Sequence, residues 1–183
     1  SDISNASRLD SELVKEDDPF LREVPDVFDF DSPQVDPEKL EKQLLENMFH
    51  HRGYGLSANQ LGIPVTAFAM MNGYDPVVIF NPEITEFSEE TTFMKEGCLS
   101  YPGLYVAIER AYGVSTRFQF SDGQEQAGNF IELSARIFQH ESEHMDGEIF
   151  IDNVSGYRLK AAMRKRKMIL KRIATFITVL VFS

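Results

Sequence analysis

The stretch Gln139 to Gly147, QHESEHMDG, constrains this chain more than any other. Positions i and i+4 of a helix share a face, so His140 and His144 can turn ring nitrogens toward one ion while Glu141 sits beside it as a proton carrier. Leu133, Ile137, His140 and His144 follow a four-three-four spacing that continues one apolar stripe into the imidazoles, and Gly147 supplies a C-terminal stop. Two imidazoles do not complete a site. Structural zinc takes four protein ligands, and a catalytic metal takes three plus an open position. A pattern this short also arises by chance on a surface helix, so the decisive question is what else reaches this one.

Cys98, in KEGCLS upstream, is the candidate third ligand. A thiolate with two imidazoles suits Zn(II) or another late first-row metal and leaves a position open for water, although a lone cysteine is more often a small buried hydrophobe. As the chain's one cysteine it makes no intramolecular disulfide, which fits a reducing compartment. The first residues carry neither an apolar signal region nor an arginine-rich amphipathic segment, so a cytoplasmic rather than a secreted protein is expected.

A length of 183 residues, 43% of them hydrophobic, suits a single domain with one substantial core. The net charge of −11 hides a division: ten basic residues face 29 acidic ones through residue 155, and the remainder holds eight basic residues and no acid. Such a chain does not coat duplex DNA. Its basic segment, residues 158–172, is either a local polyanion contact or a solvated helix face.

Along the chain, residues 1–12 are expected as a disordered leader and residues 13–174 as the catalytic domain. Asp36-Pro37-Glu38 predicts a capped helix start, and Leu40, Leu44, Leu45, Met48 and Phe49 carry the helix to Arg52, where Gly53 and Gly55 end it. Val65–Met71 and Val77–Phe80 read as strands around an Asn72-Gly73 turn, and Val114–Phe120 as a third strand with alternating faces. The HExxH helix follows, then a basic helix over residues 155–174. Strands followed by helices, without regular βαβ alternation, predict an α+β fold, with antiparallel or mixed sheets around the HExxH helix and a helix at the C-terminal end. Residues 175–183, TFITVLVFS, are too short to span a membrane and are expected as a strand on the body rather than an exposed tail.

Three segments together resemble a known family. Gly53-Tyr54-Gly55-Leu56-Ser57-Ala58-Asn59-Gln60, Glu96-Gly97-Cys98-Leu99-Ser100 and Gln139-His140-Glu141-Ser142-Glu143-His144 are similar to the three signature motifs of peptide deformylases, in the family's order. The family writes them as G-apolar-G-apolar-A-A-x-Q, E-G-C-L-S and Q-H-E-x-D-H. Asp18-Pro19-Phe20-Leu21-Arg22 and Asn81-Pro82-Glu83-Ile84 extend the likeness, which covers residues 13–172.

The resemblance implies a metal-dependent hydrolase that removes the formyl group from the initiator formyl-methionine of nascent peptides. Cys98, His140 and His144 would hold the metal, whose bound water becomes hydroxide near neutral pH, and Glu141 would accept the water proton and pass it to the leaving amine. The Gln60 side-chain amide and the Leu99 backbone N–H match the family's oxyanion donors, and the Gly55 carbonyl matches a peptide anchor. Tyr54, Leu56, Leu133 and Ile137 are candidates for the methionine pocket and are equally consistent with plain core. Arg136 is read either as a substrate anchor or as a structural arginine, and Glu96 with Arg110 as an ion pair beneath the cysteine loop. Family resemblance implies Fe(II) as the native ion with Ni(II) or Co(II) as active substitutes, whereas ligand type alone points to Zn(II). It also implies that the basic helix contacts the ribosome. A monomer is the default, with no membrane partner.

Two departures stand out. Glu143 replaces the family's aspartate before the second histidine and must reach one methylene farther; Ser57 replaces the first alanine of the glycine motif. Two rivals compete with the deformylase reading. A zincin metallopeptidase would give Cys98 and Gln60 no role, and a binding module would need neither Glu141 nor Gln60.

Overall fold

Asp36 starts the first long helix as its sequence predicts. Its carboxylate accepts a hydrogen bond from the Lys39 amide at 3.0 Å, Pro37 fills the first turn, and α1 runs Pro37–His50. The computed structural model describes residues 12–182, with side chains through residue 173. The expected leader therefore lies outside the described residues except for Glu12.

Seven strands follow: β1 (Gly55–Ser57), β2 (Ala67–Asn72), β3 (Asp75–Phe87), β4 (Thr91–Cys98), β5 (Tyr101–Ala111), β6 (Gly113–Gln119) and β7 (Glu125–Ile131). They form an antiparallel five-stranded sheet, in the order β1-β2-β3-β6-β7, and a separate hairpin of β4 with β5. Helix α2 (Glu132–Met145) packs against β1, β2, β6 and β7 of the larger sheet and against β5 of the hairpin. The fold is thus α+β with the HExxH helix between its sheets.

The apolar side of α2 seats it. Phe138, wholly buried, meets Phe68 edge-on at 5.3 Å and stacks on Phe130 at 5.2 Å, within a cluster that includes Ile79, Val114 and Phe118. A second cluster joins α1 to β1 and β2 through Leu44, Met48 and Leu56. A third lies under β5, where Leu104, Val106 and Ile108 meet Ile149, Phe150 and Ala162.

The strands differ from expectation in extent. β3 runs on past Phe80 to Phe87, and Val65 instead makes an isolated bridge to Asp26. β5 and β7 have no clear sequence signal. In β5 the buried positions Leu104, Val106, Ile108 and Arg110 do alternate, but Pro102 and Gly103 open the strand and a charged residue holds one inward place. In β7 only Phe130 is buried, so pairing with β6 rather than side-chain pattern sets the strand.

The expectation for the chain end is corrected. Helix α3 spans Gly156–Phe182, so residues 175–182 are helical rather than a strand, and Ser183 lies outside the described residues. The physical reason is continuity: no Gly or Pro interrupts the sequence after Gly156, and extending an existing helix needs no new nucleus. The lower helix propensity of β-branched residues costs only about 0.7 kcal/mol or less per residue, too little to stop it. Arg166 anchors α3 by donating to the Pro102 carbonyl at 3.0 Å and pairing with Glu16. No helix among the described residues is long and apolar enough to cross a membrane.

The chain leaves α2 through Gly147 at φ +71°, and a Cβ there would stand 2.5 Å from the Arg22 carbonyl oxygen. Gly147→Ala is expected to lose at least about 1–2 kcal/mol of stability, read as a lower urea midpoint. A midpoint equal to wild type would mean that the turn has no such restriction.

Candidate active site

Two strand ends and one helix face build the site. β4 delivers Cys98 at its last residue and Glu96 two residues earlier, with a register shift against β5 between them. α2 delivers Arg136, His140, Glu141 and His144, all buried. The short 3-10 helix Ala58–Leu61 after β1 carries Gln60, only 1% exposed.

Cys98, His140 and His144 offer one ligand atom each, all within 4.8 Å of one another. The sulfur lies 3.6 Å from His144 Nε2, close to the roughly 3.5 Å that two ligands of one tetrahedral ion would show at ordinary bond lengths. His140 Nδ1 lies 2.8 Å from Glu96 Oε1, which leaves Nε2 as its ligating atom. Burial, and then His140, bring His144 down to about 3, so it is a neutral imidazole at ordinary pH. One soft sulfur and two imidazoles fit a divalent late first-row ion.

Glu141 lies against the same cluster. Its Oε1 would be 2.7 Å from a Cβ on Gly55, so only glycine leaves the carboxylate its place. Its Oε2 is buried without a hydrogen-bond partner among the described residues. Burial raises this carboxyl to about 7, against the opposing charge of His140. A carboxyl poised near neutrality can both take and return a proton.

Behind the cluster stands Glu96, 7% exposed. Arg110 grips it twice, Nε to Oε2 and Nη2 to Oε1, each at 2.9 Å, and Arg136 Nη1 donates to Oε2 at 2.6 Å. Arg110 Nη1 also pairs with Glu143, so the longer acid does reach its partner. The Glu96–Arg110 pair expected from sequence is present, as part of a larger array.

For two substrate-contact candidates the contacts are those of the structural alternative left open by the sequence. Arg136 donates further to the Ile108 carbonyl at 2.9 Å and the Thr92 carbonyl at 2.8 Å, contacts that tie α2 to the hairpin. Leu56 is wholly buried with Leu40 and Leu44, because successive strand residues face opposite ways and Gly55 takes the side toward Glu141. Ile137 lies beside Gly55, at 3.0 Å from a Cβ placed there, while Tyr54 and Leu133 are exposed. Leu99 packs beneath Gly53, where a Cβ would meet its Cδ1 at 2.6 Å.

Three residues went unread. Ser100 accepts from Gln60 Nε2 at 3.0 Å, Asn59 donates to the His144 carbonyl at 3.2 Å, and Gln139 clasps both backbone groups of Ala111. All three lie inside the motifs already quoted, and a buried polar run was their only signal.

Comparison with known proteins agrees over most of the chain. The family model described as polypeptide deformylase matches residues 11–160. The peptide deformylase of Thermotoga petrophila is 38% identical over 156 residues, covering 85% of this chain and 93% of the relative. Among solved structures, the Thermotoga maritima peptide deformylase superposes with TM-score 0.74 at 35% identity, covering 78% of this chain and 96% of that one. The enzyme from Synechococcus elongatus, in complex with actinonin, gives TM-score 0.79 at 28% identity and covers 88% of each chain.

The array behind the cluster carries a pH signature. Burial alone would raise Glu96, but the hydrogen bonds from Arg110 and His140 outweigh it and bring the carboxyl from 4.5 down to about 2. A folded value below the unfolded one gives stability that is complete above pH 4.5 and is lost as pH falls toward 2. Urea melts of the metal-free protein should show this acid loss, and Glu96→Gln should be less stable at neutral pH and flatter over that window. An equally steep loss in the variant would assign the acid sensitivity to other groups.

Proposed function

The chain belongs to the polypeptide deformylase family, and from that premise we propose that it hydrolyses the N-formyl group of formyl-methionine at the start of nascent polypeptides, releasing formate. Cys98, His140 and His144 are the residues that would hold a divalent ion. The ion supplies Lewis acidity, which acidifies water near neutral pH and polarises the formyl carbonyl. Everything else falls to the chain's own groups.

Glu141 takes the proton from the attacking water. As the C–N bond of the formamide breaks, it gives that proton to the departing amine, leaving formate and a free N-terminus. Negative charge gathers on the formyl oxygen in between, where the Gln60 Nε2 and the Leu99 backbone N–H donate. The Gly55 carbonyl receives a peptide N–H, and Ile137, with Tyr54 and Leu133 at the surface, accepts the methionine side chain. The observation that carries this reading is Glu141, a buried carboxyl one residue past His140 on α2, with one oxygen unpartnered and the other against Gly55.

Fe(II) is the native ion in this reading, with Ni(II) or Co(II) active in its place and Zn(II) less so. Were Cys98, His140 and His144 to hold ferrous iron, activity would decay in air. The working form is a cytoplasmic monomer that meets nascent chains at the ribosome. Lys160, Arg164, Lys165 and Lys167 are exposed on α3 and suit a phosphate surface, whereas Arg158 and Arg166 already bind the Ala107 carbonyl and Glu16. Replacing those four lysines and arginines by glutamate should abolish co-sedimentation with ribosomes at low salt; unchanged pelleting would remove α3 from the contact.

The deciding assay is formate release from formyl-Met-Ala-Ser by anaerobically purified, iron-loaded protein. Glu141→Ala should lose about 10²- to 10⁴-fold in kcat with its metal content intact, while Cys98→Ala should lose the metal. No formate from metal-loaded wild type would sink the reading.

A further inference from the structure

Ser57 sits where the resembling family carries alanine, and its side chain is wholly buried. Its hydroxyl oxygen lies 2.5 Å from Asn59 Oδ1 and 3.1 Å from Gln60 Oε1, so one proton serves two amide oxygens in a three-centre bond. The Ser57 backbone N–H also donates to Gln60 Oε1, at 3.0 Å. Both donors on that oxygen therefore come from one residue.

The other end of the Gln60 amide is thereby fixed. Nε2 donates to Ser100 Oγ at 3.0 Å and points at Cys98 Sγ from 3.6 Å. Turning the amide over would set Nε2 against the Ser57 N–H, donor against donor, and would leave Oε1 facing the thiol. Asn59 ties the same hydroxyl to α2, because its Nδ2 donates to the His144 carbonyl at 3.2 Å. The hydroxyl thus joins the helix bearing the imidazoles to the loop bearing the thiol, through groups that are nearly all buried.

We propose that Ser57 is a positioning residue, whose hydroxyl holds the Gln60 amide oxygen so that Nε2 is the atom presented beside Cys98. The functional half of this rests on the reading of Gln60 as the oxyanion donor. The structural half does not. An alanine at this position keeps the backbone bond and loses the second one, so the amide is held but held loosely.

Two measurements on Ser57→Ala test it. The first is hydrogen exchange of the Gln60 side-chain NH2, followed by NMR in metal-free and zinc-loaded protein, and expected to speed up about tenfold in the variant. The second is formate release by the nickel-loaded enzyme, with kcat expected to fall about tenfold while KM and metal stoichiometry stay at wild-type values. In the Gln60→Ala background the same change should cost nothing more, since the group being positioned is gone. Ser57→Cys, which keeps the volume and loses the strong donor, should behave as Ser57→Ala and so separate the hydroxyl from any packing loss. Unchanged Gln60 exchange in both variants, or an equal fall in kcat with and without Gln60, would overturn the assignment. Were wild type to release no formate, the deformylase reading would fall while the exchange rates still decided the role of Ser57.

Discussion

The site depends first on the Glu96 carboxylate. It accepts from Arg110 on β5 and from Arg136 and His140 on α2, and it sits on β4 itself, so one small anion ties three elements together. Both guanidinium groups are buried, at 7% and 5% exposure; without it Arg136 would be an uncompensated interior charge and Arg110 would keep only Glu143. Breaking such a pair typically costs about 3–5 kcal/mol, more than a surface ion pair could recover. The same carboxylate fixes which His140 nitrogen is left for an ion, so the hairpin's attachment and the imidazole's orientation have one cause.

That cause explains what could be read from the chain and what could not. Helix α1 was legible because Asp36, Pro37 and the Leu40–Leu44–Met48 stripe all obey local rules. The α2 face was legible because HExxH spacing depends only on helix geometry. Strand β5 was not, since Pro102 and Gly103 open it and one inward position is Arg110, which a hydrophobic pattern scores as outward. Arg136 stayed open between two readings for the same reason: its partners come from strands distant in sequence, and no local rule announces a buried, paired charge. Residues 175–182 misled in the opposite sense, because β-branched composition describes a preference that an established helix overrides.

Close approach without side chains recurs around the cluster. Gly55 leaves the Glu141 carboxylate its place, and Gly53 gives way to Leu99 of the cysteine loop. Neither shows a positive φ, so their role is volume rather than backbone freedom. Together they let β1 run close beside both the helix and the loop. The Glu143 departure is absorbed as simply, since Arg110 meets the longer side chain without losing Glu96.

Helix α2 carries Phe138 into the aromatic core on one side and its imidazoles into the cluster on the other. A rotation of one residue is about 100° of helix, enough to swing the imidazoles away from Cys98. The placement of the imidazoles therefore depends on the fit of a phenyl ring against Phe68 and Phe130, both buried in the aromatic core. Mutational drift in that aromatic cluster would surface first as a blunted enzyme and only later as an unfolded one.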